Sequence, residues 1–275
     1  MNSETGPRSC GEIVVGDCLD VLRGLSSNTF QSCVTSPPYW GLRDYGVDGQ
    51  IGAETTVDQY ITKLTTVFRE VRRTLTQDGT LWLNIGDSYT SGGRNRRQTD
   101  KKNPAREMAY RAPTPDGLKP KDLIGIPWKL AFALQADGWY LRCDVIWNKP
   151  NAQPESVRDR PTRTHEYLFL FAKSEHYLYD HEAIKEQAAS RDGKRNCRSV
   201  WSVPTAALRE AHFATFPPKL IEPCILASSR PGQTILDPFF GAGTVGMVAS
   251  GLGRSFLGIE LKPEYAEIAR RRLKF

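Results

Sequence analysis

The chain has 275 residues, of which 39% are hydrophobic and 10% aromatic, so it can bury a substantial core and is not disordered as a whole. No apolar stretch approaches the roughly twenty residues of a membrane-spanning helix, and the first eight residues contain no apolar signal-peptide segment, which predicts a cytoplasmic protein. Six cysteines without a C-x-x-C pair and four dispersed histidines argue against a zinc site or a disulfide framework.

Strand-like and helix-like segments alternate along most of the chain. Strands are predicted at residues 12–15, 32–35, 80–85, 141–147, 167–172, 233–236 and 255–259. Helices are predicted at residues 57–74, 123–136, 218–228, 245–252 and 263–273. This alternation predicts a single α/β domain over residues 1–275, with a mostly parallel sheet and helices on both faces. No helix separates strands 141–147 and 167–172, which predicts an antiparallel addition at one edge.

The first motif that carries chemistry is TSPPYW at residues 35–40, directly after strand 32–35. Two consecutive prolines fix φ and remove two N–H donors, which leaves carbonyl acceptors. The Ser36 hydroxyl and the Pro37 carbonyl can accept from an exocyclic NH₂ group, and Tyr39 offers a ring face on which an extruded base can stack. An ordinary aromatic-flanked Pro-Pro turn is the alternative. Trp40 is either a core residue or a base contact.

Residues 94–121, called the basic segment below, carry nine Lys or Arg and three acidic residues, so the whole formal charge of +6 arises there. Residues 90–122 lack periodicity and are predicted to form a long loop, and long loops of this kind in compact domains are usually functional or disordered. Cations concentrated in this way indicate contacts with a nucleic-acid backbone. The five cations assigned to that role, called the loop cations, are Arg94, Arg96, Arg97, Lys101 and Lys102.

The second motif is LDPFFGAGT at residues 236–244, which follows a predicted strand and leads into a helix. Its glycines let the backbone approach a ligand closely, and Glu260 ends the next strand, where a carboxylate can accept hydrogen bonds from ribose hydroxyls. The spacing Gly241-x-Gly243-x-x-Gly246 also fits a dinucleotide site. An acid at position 237 argues against that alternative, because it would repel a pyrophosphate but suits the cationic methionine end of S-adenosylmethionine.

Together the two motifs resemble those of the amino-methylating DNA methyltransferases. Residues 36–39 look like the catalytic motif of that family and residues 237–244 like its cofactor motif, with Ala242 and Val245 as small departures. A catalytic half at residues 10–180 followed by a cofactor half at residues 212–275 resembles the circularly permuted β group. The resemblance implies a Rossmann-like S-adenosylmethionine-dependent methyltransferase fold. It leaves residues 185–211 as the predicted target-recognition segment.

The resemblance also implies a set of site residues. The catalytic residues would be Ser36, Pro37, Pro38 and Tyr39. The cofactor-binding residues would be Asp17, Cys18, Thr35, Phe216, Pro217, Asp237, Pro238, Phe239, Gly241, Gly243, Thr244 and Glu260. Trp40 and the five loop cations would contact DNA, and no metal is expected. Asp17 is either an adenine contact or a simple turn residue.

The reaction that the resemblance implies is methyl transfer from S-adenosylmethionine to the exocyclic N4 amine of a flipped cytosine in double-stranded DNA. Adenine N6 is the alternative target, and a neutral Ser before Pro-Pro-Tyr favours cytosine. An inactive DNA-binding relative and a methyltransferase acting on RNA or on a protein glutamine are rival functions. Pro223-Cys224 resembles a cytosine-C5 nucleophile but lies within a predicted helix, so Cys224 is assigned to the core. The sequence leaves open a cognate restriction endonuclease and the choice between monomer and homodimer.

Overall fold

An eight-stranded mixed sheet runs through the part of the chain that the computed structural model describes, which is residues 11–42, 46–47, 50–90, 114–188, 193–205 and 216–274. The strands in chain order are β1 (Gly11–Val15), β2 (Phe30–Thr35), β3 (Leu75–Ile85), β4 (Tyr140–Asn148), β5 (His165–Ala172), β6 (Glu186–Gln187), β7 (Lys194–Arg195), β8 (Val200–Ser202), β9 (Thr234–Asp237) and β10 (Ser255–Glu260). Strands β6 and β7 pair only with each other, in a small antiparallel sheet.

The order of strands in the large sheet is β1-β10-β9-β2-β3-β5-β4-β8. Neighbours are parallel except around β5, which is antiparallel to both β3 and β4. The predicted antiparallel addition at one edge is therefore confirmed. From β2 the chain crosses to β3 on one side, and from β9 it crosses to β10 on the other. Parallel sheets open a ligand crevice at such a divergence, at the carboxyl ends of the strands.

Six α-helices cover the two faces of this sheet within the described ranges. They are α1 (Cys18–Gly24), α2 (Val57–Thr74), α3 (Ile126–Ala136), α4 (Pro218–Ser228), α5 (Thr244–Gly251) and α6 (Pro263–Leu273). Helices α1 to α3 pack around one apolar cluster and α4 to α6 around another. Because β2 lies between the two clusters, all six of its residues are buried. The turn that follows β2 therefore begins from a rigid position.

The helix bounds follow from local sequence signals. The Thr56 side chain accepts from Gln59 N while the Gln59 side chain accepts from Thr56 N, which is a capping box at the start of α2. Helices α4 and α6 both begin at proline, whose missing N–H needs no partner in the first helical turn. Helices α2, α4 and α6 have the predicted bounds, and the Cys224 side chain is buried in the core as predicted.

Several local expectations differ from the structure. Helix α3 begins at Ile126 rather than at residue 123, because Gly125 precedes it with a φ of +80°, outside the helical range. Helix α1 is absent from the predicted elements, since seven residues are too few to show a periodic pattern. The short strands β6, β7 and β8 are also absent from them. Both proposed halves of the chain supply strands to the large sheet, while their boundaries stay a prediction.

None of the described helices has the length and apolar character needed to cross a membrane.

Candidate active site

A cavity of about 260 Å³ lies at the edge of the sheet where the parallel strands end. Many of the residues that line it lie at or just after the ends of neighbouring strands. Asp17 after β1, Glu260 at the end of β10 and Asp237 at the end of β9 line one end, called the glycine-turn end. The turn after β2, which begins at Ser36, lines the cavity beside them. The two motifs found in the sequence, some two hundred residues apart, therefore meet in one cavity.

The junction between these motifs is a hydrogen bond between adjacent strands. Thr35 Oγ1 donates to Asp237 Oδ1 at 2.6 Å, and Phe239 N donates to the same oxygen at 3.0 Å. Asp237 is 2% exposed, and its burial raises the pKa of its carboxyl to about 7 against the lowering effect of these two donors. Asp237 therefore titrates close to neutral pH, and a cation bound beside it would favour its ionised form.

The glycine turn after β9 is shaped by backbone geometry. Gly241 has a φ of +53° and its N–H donates to Glu260 Oε2 at 2.8 Å, which ties the turn to β10. Thr244, the first residue of α5, lines the cavity, and its Oγ1 is buried without a hydrogen-bond partner among the described residues. A buried hydroxyl without a partner is costly, so Thr244 Oγ1 marks a position where a ligand would supply the missing bond.

The sequence predicts that Gly243 contacts the cofactor, whereas in the structure its position serves helix packing. It precedes α5 with a φ of +78°, and a Cβ added there would lie 3.0 Å from Ala269 Cβ. Gly243 is not among the residues that line the cavity. Its lack of a side chain lets α5 pack against α6, which gives Gly243 a structural role, and its direct contact with the cofactor stays a prediction.

Two acidic residues complete the glycine-turn end. Glu260 Oε1 accepts from Lys262 N at 2.9 Å, and burial raises the pKa of Glu260 above its ordinary value. Asp17 Oδ1 accepts from Leu19 N at 2.9 Å, so Asp17 caps α1 while also lining the cavity. The two alternatives for Asp17, turn residue and ligand contact, are thus compatible.

The catalytic turn is anchored from two directions. Tyr60 Oη on α2 donates to the Pro38 carbonyl at 2.8 Å. Tyr39 Oη donates to Glu166 Oε2 at 2.7 Å, and burial together with the Glu166 charge raises the pKa of Tyr39 well above its ordinary value. Tyr39 is therefore a neutral phenol whose ring position is fixed. Ser36 and Pro37 line the cavity beside it.

Trp40 is a core residue. Its side chain is 7% exposed, and its Nε1 donates to the Glu54 carbonyl at 2.9 Å. Trp40 is also absent from the cavity wall. The sequence leaves core and base contact open; the structure places Trp40 in the core, and a contact between Trp40 and DNA stays a prediction.

The other predicted residues divide into three groups. Cys18, Phe216, Pro238 and Phe239 line the cavity, and burial raises the pKa of Cys18 to about 12, so its thiol stays neutral. Thr35 and Pro217 do not line it: Thr35 holds Asp237, and Pro217 precedes α4. The five loop cations lie outside the described residues. Among the residues that are described, no group of His, Cys, Asp or Glu could hold a metal ion.

Sequence reasoning missed the far end of the cavity, called the lysine end, which Asn84, Lys149 and Glu166 line. Asn84 Nδ2 donates to Glu166 Oε2 at 3.3 Å, and Lys149 forms an ion pair with Glu166 through Oε1. From the sequence, Lys149 is only a phosphate contact or a solvated surface residue. Glu166 reaches this edge because β5 runs opposite to its neighbours, so the start of β5, not its end, lies there.

Part of the predicted target-recognition segment also reaches the cavity. Strand β8 pairs with β4, and Trp147 Nε1 donates to the Val203 carbonyl at 2.7 Å. Thr205, which follows β8, lines the cavity. Residues 189–192 and 206–211 of this segment lie outside the described residues, so the assignment of the whole segment stays a prediction.

Comparisons with known proteins give this cavity its context. A family model described as DNA methylase, for N6 and N4 methyltransferases, matches residues 30–271. The chain belongs to the N6/N4 DNA methylase family. It is 63% identical over 259 residues to the Type II methyltransferase M.Cfr9I of Citrobacter freundii. The matched region covers 94% of this chain and 86% of that protein. It is 60% identical to M.SmaI of Serratia marcescens over 98% of this chain and 92% of that protein.

Solved structures support the fold assignment. PvuII DNA methyltransferase (cytosine-N4-specific) superimposes with a TM-score of 0.73 at 20% identity, over 96% of this chain and 86% of that chain. A putative DNA modification methylase of Thermus thermophilus, solved in complex with S-adenosyl-L-methionine, gives a TM-score of 0.65 at 24% identity, over 95% of this chain and 92% of that chain. These findings confirm the predicted family, the Rossmann-like methyltransferase fold and the class of enzyme, a DNA methyltransferase.

Proposed function

We propose that this DNA methylase transfers a methyl group from S-adenosylmethionine to the exocyclic N4 amine of a cytosine in double-stranded DNA. The observation that carries the proposal is that Ser36, Pro37 and Tyr39 line the same cavity as the glycine turn after Asp237. A site for a nucleoside cofactor and a site for an amino group thus share one space. The name of the PvuII enzyme, which is cytosine-N4-specific, agrees with this target base.

The glycine-turn end fits S-adenosylmethionine by its chemistry. The unpartnered Thr244 hydroxyl can bond to a polar group of the cofactor, and Glu260 can accept from ribose hydroxyls. Asp237, with its pKa of about 7, can become charged beside the cationic methionine portion. When bound, the cofactor supplies an electrophilic methyl group. The buried apolar surroundings of these residues strengthen each electrostatic contact.

The chain's own part in the reaction is to position and polarise the target amine. The lone pair of a cytosine amine is delocalised into the ring, so the amine is a poor nucleophile. Hydrogen bonds from the NH₂ group to the Ser36 hydroxyl and the Pro37 carbonyl draw the nitrogen toward tetrahedral geometry and localise that pair. Orientation and stabilisation of developing charge then provide most of the acceleration. The proton of the methylated amine leaves to solvent.

The target base must leave the duplex to enter this cavity. The fixed ring of Tyr39 offers a face for stacking, and a neutral serine serves a pyrimidine amine without burying a second charge. Asp237 and Glu260 already bring two acidic groups to the cavity. Because the neutral Ser36 hydroxyl adds no further buried charge and suits a pyrimidine amine, cytosine is favoured over adenine as the target. We also propose that a restriction endonuclease of the same specificity accompanies the enzyme, as the Type II relatives imply.

The direct test identifies the modified nucleoside. Unmethylated DNA is incubated with the purified protein and S-adenosylmethionine, digested to nucleosides and separated by mass spectrometry, with Ser36→Ala as the matched inactive control. N4-methylcytosine is the expected product, absent from the control reaction. N6-methyladenine as the main product would overturn the cytosine assignment but leave the methyl donor and the mode of transfer in place.

A further inference from the structure

The lysine end of the cavity holds a cation in a fixed position. The side chains of Lys149 and Glu166 are each 17% exposed. Lys149 Nζ lies 4.2 Å from the centre of the Trp147 ring, and the Lys149 backbone N–H donates to the Thr164 carbonyl at 2.8 Å. These contacts remove most of the freedom that an exposed lysine has. The ammonium group is therefore preorganised.

Glu166 is the residue that holds this arrangement together. Its Oε2 accepts from Tyr39 and Asn84, and its Oε1 accepts from Lys149. The carboxylate is thereby linked to the catalytic turn on one side and to Lys149 on the other. A partly buried carboxylate with donors on both oxygens keeps its orientation. Glu166 therefore couples the position of Lys149 to the position of Tyr39.

Strand order puts Lys149 on the opposite side of Ser36 from the glycine turn. Asp237 ends β9, which adjoins β2, whereas Lys149 follows β4 on the other side of β3 and β5. A base whose amine lies at Ser36, with the methyl donor at the glycine turn, would extend its remaining edge toward Lys149. The ammonium has three N–H donors, and its bond to Glu166 uses one.

We propose that Lys149, positioned by Glu166, donates a hydrogen bond to the O2 carbonyl of the target cytosine and so selects cytosine over adenine. This inference rests on the proposed N4-cytosine function and adds a residue that reads the base. Lys149 contacts the substrate, and Glu166 is a positioning residue.

The two bases differ at the position that Lys149 would read. Along its pairing edge cytosine has the N4 amine, then the N3 acceptor, then the O2 acceptor. Adenine has the N6 amine, then the N1 acceptor, then a C–H group. With the amine held at Ser36, a donor aimed at the third position finds an acceptor in cytosine and none in adenine. A site with a desolvated donor left unpaired discriminates strongly against the ligand that lacks the acceptor.

The test compares base preference in variants. The site that the wild-type enzyme methylates is first mapped by sequencing treated DNA. Two synthetic duplexes then carry that site with cytosine or adenine at the target position and an unchanged partner strand. The preference is the ratio of kcat/KM on the two duplexes. Because each variant is compared with wild type on the same duplexes, the effect of the mismatch cancels.

Lys149→Met, which keeps most of the unbranched side chain and removes the donors, should lower the preference for cytosine by about 10- to 100-fold. Glu166→Gln should lower it by a smaller factor, because the amide still accepts from Tyr39 but no longer holds the cation. Lys129→Met removes a lysine of α3 that does not line the cavity and should leave the preference unchanged. A wild-type preference in Lys149→Met would overturn the inference.

A double variant separates base reading from simple destabilisation. Lys149→Met alone leaves the Glu166 charge without its cation, which lowers stability. Lys149→Met combined with Glu166→Gln removes both charges and should recover thermal stability while the preference stays low. Recovery of the preference along with stability would refute a reading role for Lys149. N6-methyladenine as the main product of the wild-type enzyme would instead refute the proposed function itself, and this result is seen without any variant.

Discussion

Asp237→Asn is expected to stabilise the free protein near neutral pH and to weaken its affinity for the methyl donor. Burial raises the pKa of Asp237 from 3.8 to about 7 in the folded chain. Between these two pH values the folded chain holds a proton that the unfolded chain has released. The contribution of Asp237 to stability therefore falls as pH rises through this window, and it stays low above pH 7.

The size of this effect follows from the separation of the two pKa values. Full ionisation of Asp237 in the folded chain costs roughly 4 kcal/mol. Asparagine cannot ionise, and it keeps a carbonyl oxygen for the Thr35 hydroxyl and the Phe239 N–H. The free energy of unfolding of the variant, relative to that of the wild type, should therefore rise by about 3 kcal/mol between roughly pH 5 and pH 8. Urea denaturation across this range measures it.

Cofactor binding should respond in the opposite direction. A cationic ligand favours the ionised form of Asp237, so the wild type gains affinity as pH rises toward 7. The ratio of the Kd of Asp237→Asn to that of wild type should grow with pH and reach about 10- to 100-fold when Asp237 is ionised. Titration of the ligand itself affects both proteins equally and cancels in this ratio. A ratio that does not change with pH, measured by equilibrium dialysis, would refute the reasoning.

Three further changes test other parts of the molecule. Ser36→Ala should abolish most methylation but keep cofactor affinity, because Ser36 lies outside the glycine-turn end; wild-type turnover of radiolabelled cofactor would contradict the polarising role. Gly243→Val should lower the free energy of unfolding by at least about 2 kcal/mol, because the φ of +78° and the nearby Ala269 Cβ exclude a branched side chain; an unchanged urea midpoint would contradict this. Replacing the five loop cations by Ser should flatten the plot of log DNA affinity against log salt; an unchanged slope would move the phosphate contacts elsewhere, first to residues 185–198.

The sequence predicted the parts of the fold that local signals determine. The apolar spacing predicts α2, α4 and α6 with the bounds that the structure has, and prolines at the starts of α4 and α6 agree with those bounds. Each motif follows a strand of a mostly parallel sheet, and the carboxyl ends of parallel strands share an edge, so the predicted fold is consistent with one shared site. The structure joins the two motifs there through the bond between Thr35 and Asp237.

The parts that were missed depend on packing and strand direction. The position of Glu166 in the cavity follows from β5 pairing antiparallel to β3, and no pattern within residues 165–172 specifies which end of β5 faces the site. Gly243 was placed in the cofactor site by its motif, whereas the approach of α6 explains its lack of a side chain. Trp40 follows the catalytic turn directly, yet its ring is buried in the core and its indole N–H bonds to the Glu54 carbonyl.

The bond between Thr35 and Asp237 also has a consequence for folding, because it joins residues 202 positions apart. The pocket is built from contacts of very long sequence separation, whose loop-closure entropy must be overcome before they stabilise the fold. A nascent chain that already contains the whole SPPY turn still has no glycine turn until β9 and β10 are made. A ligand bound across this junction stabilises the native state against global unfolding. The methyl donor should therefore slow hydrogen exchange in β2 as well as in β9, although these strands belong to opposite ends of the chain.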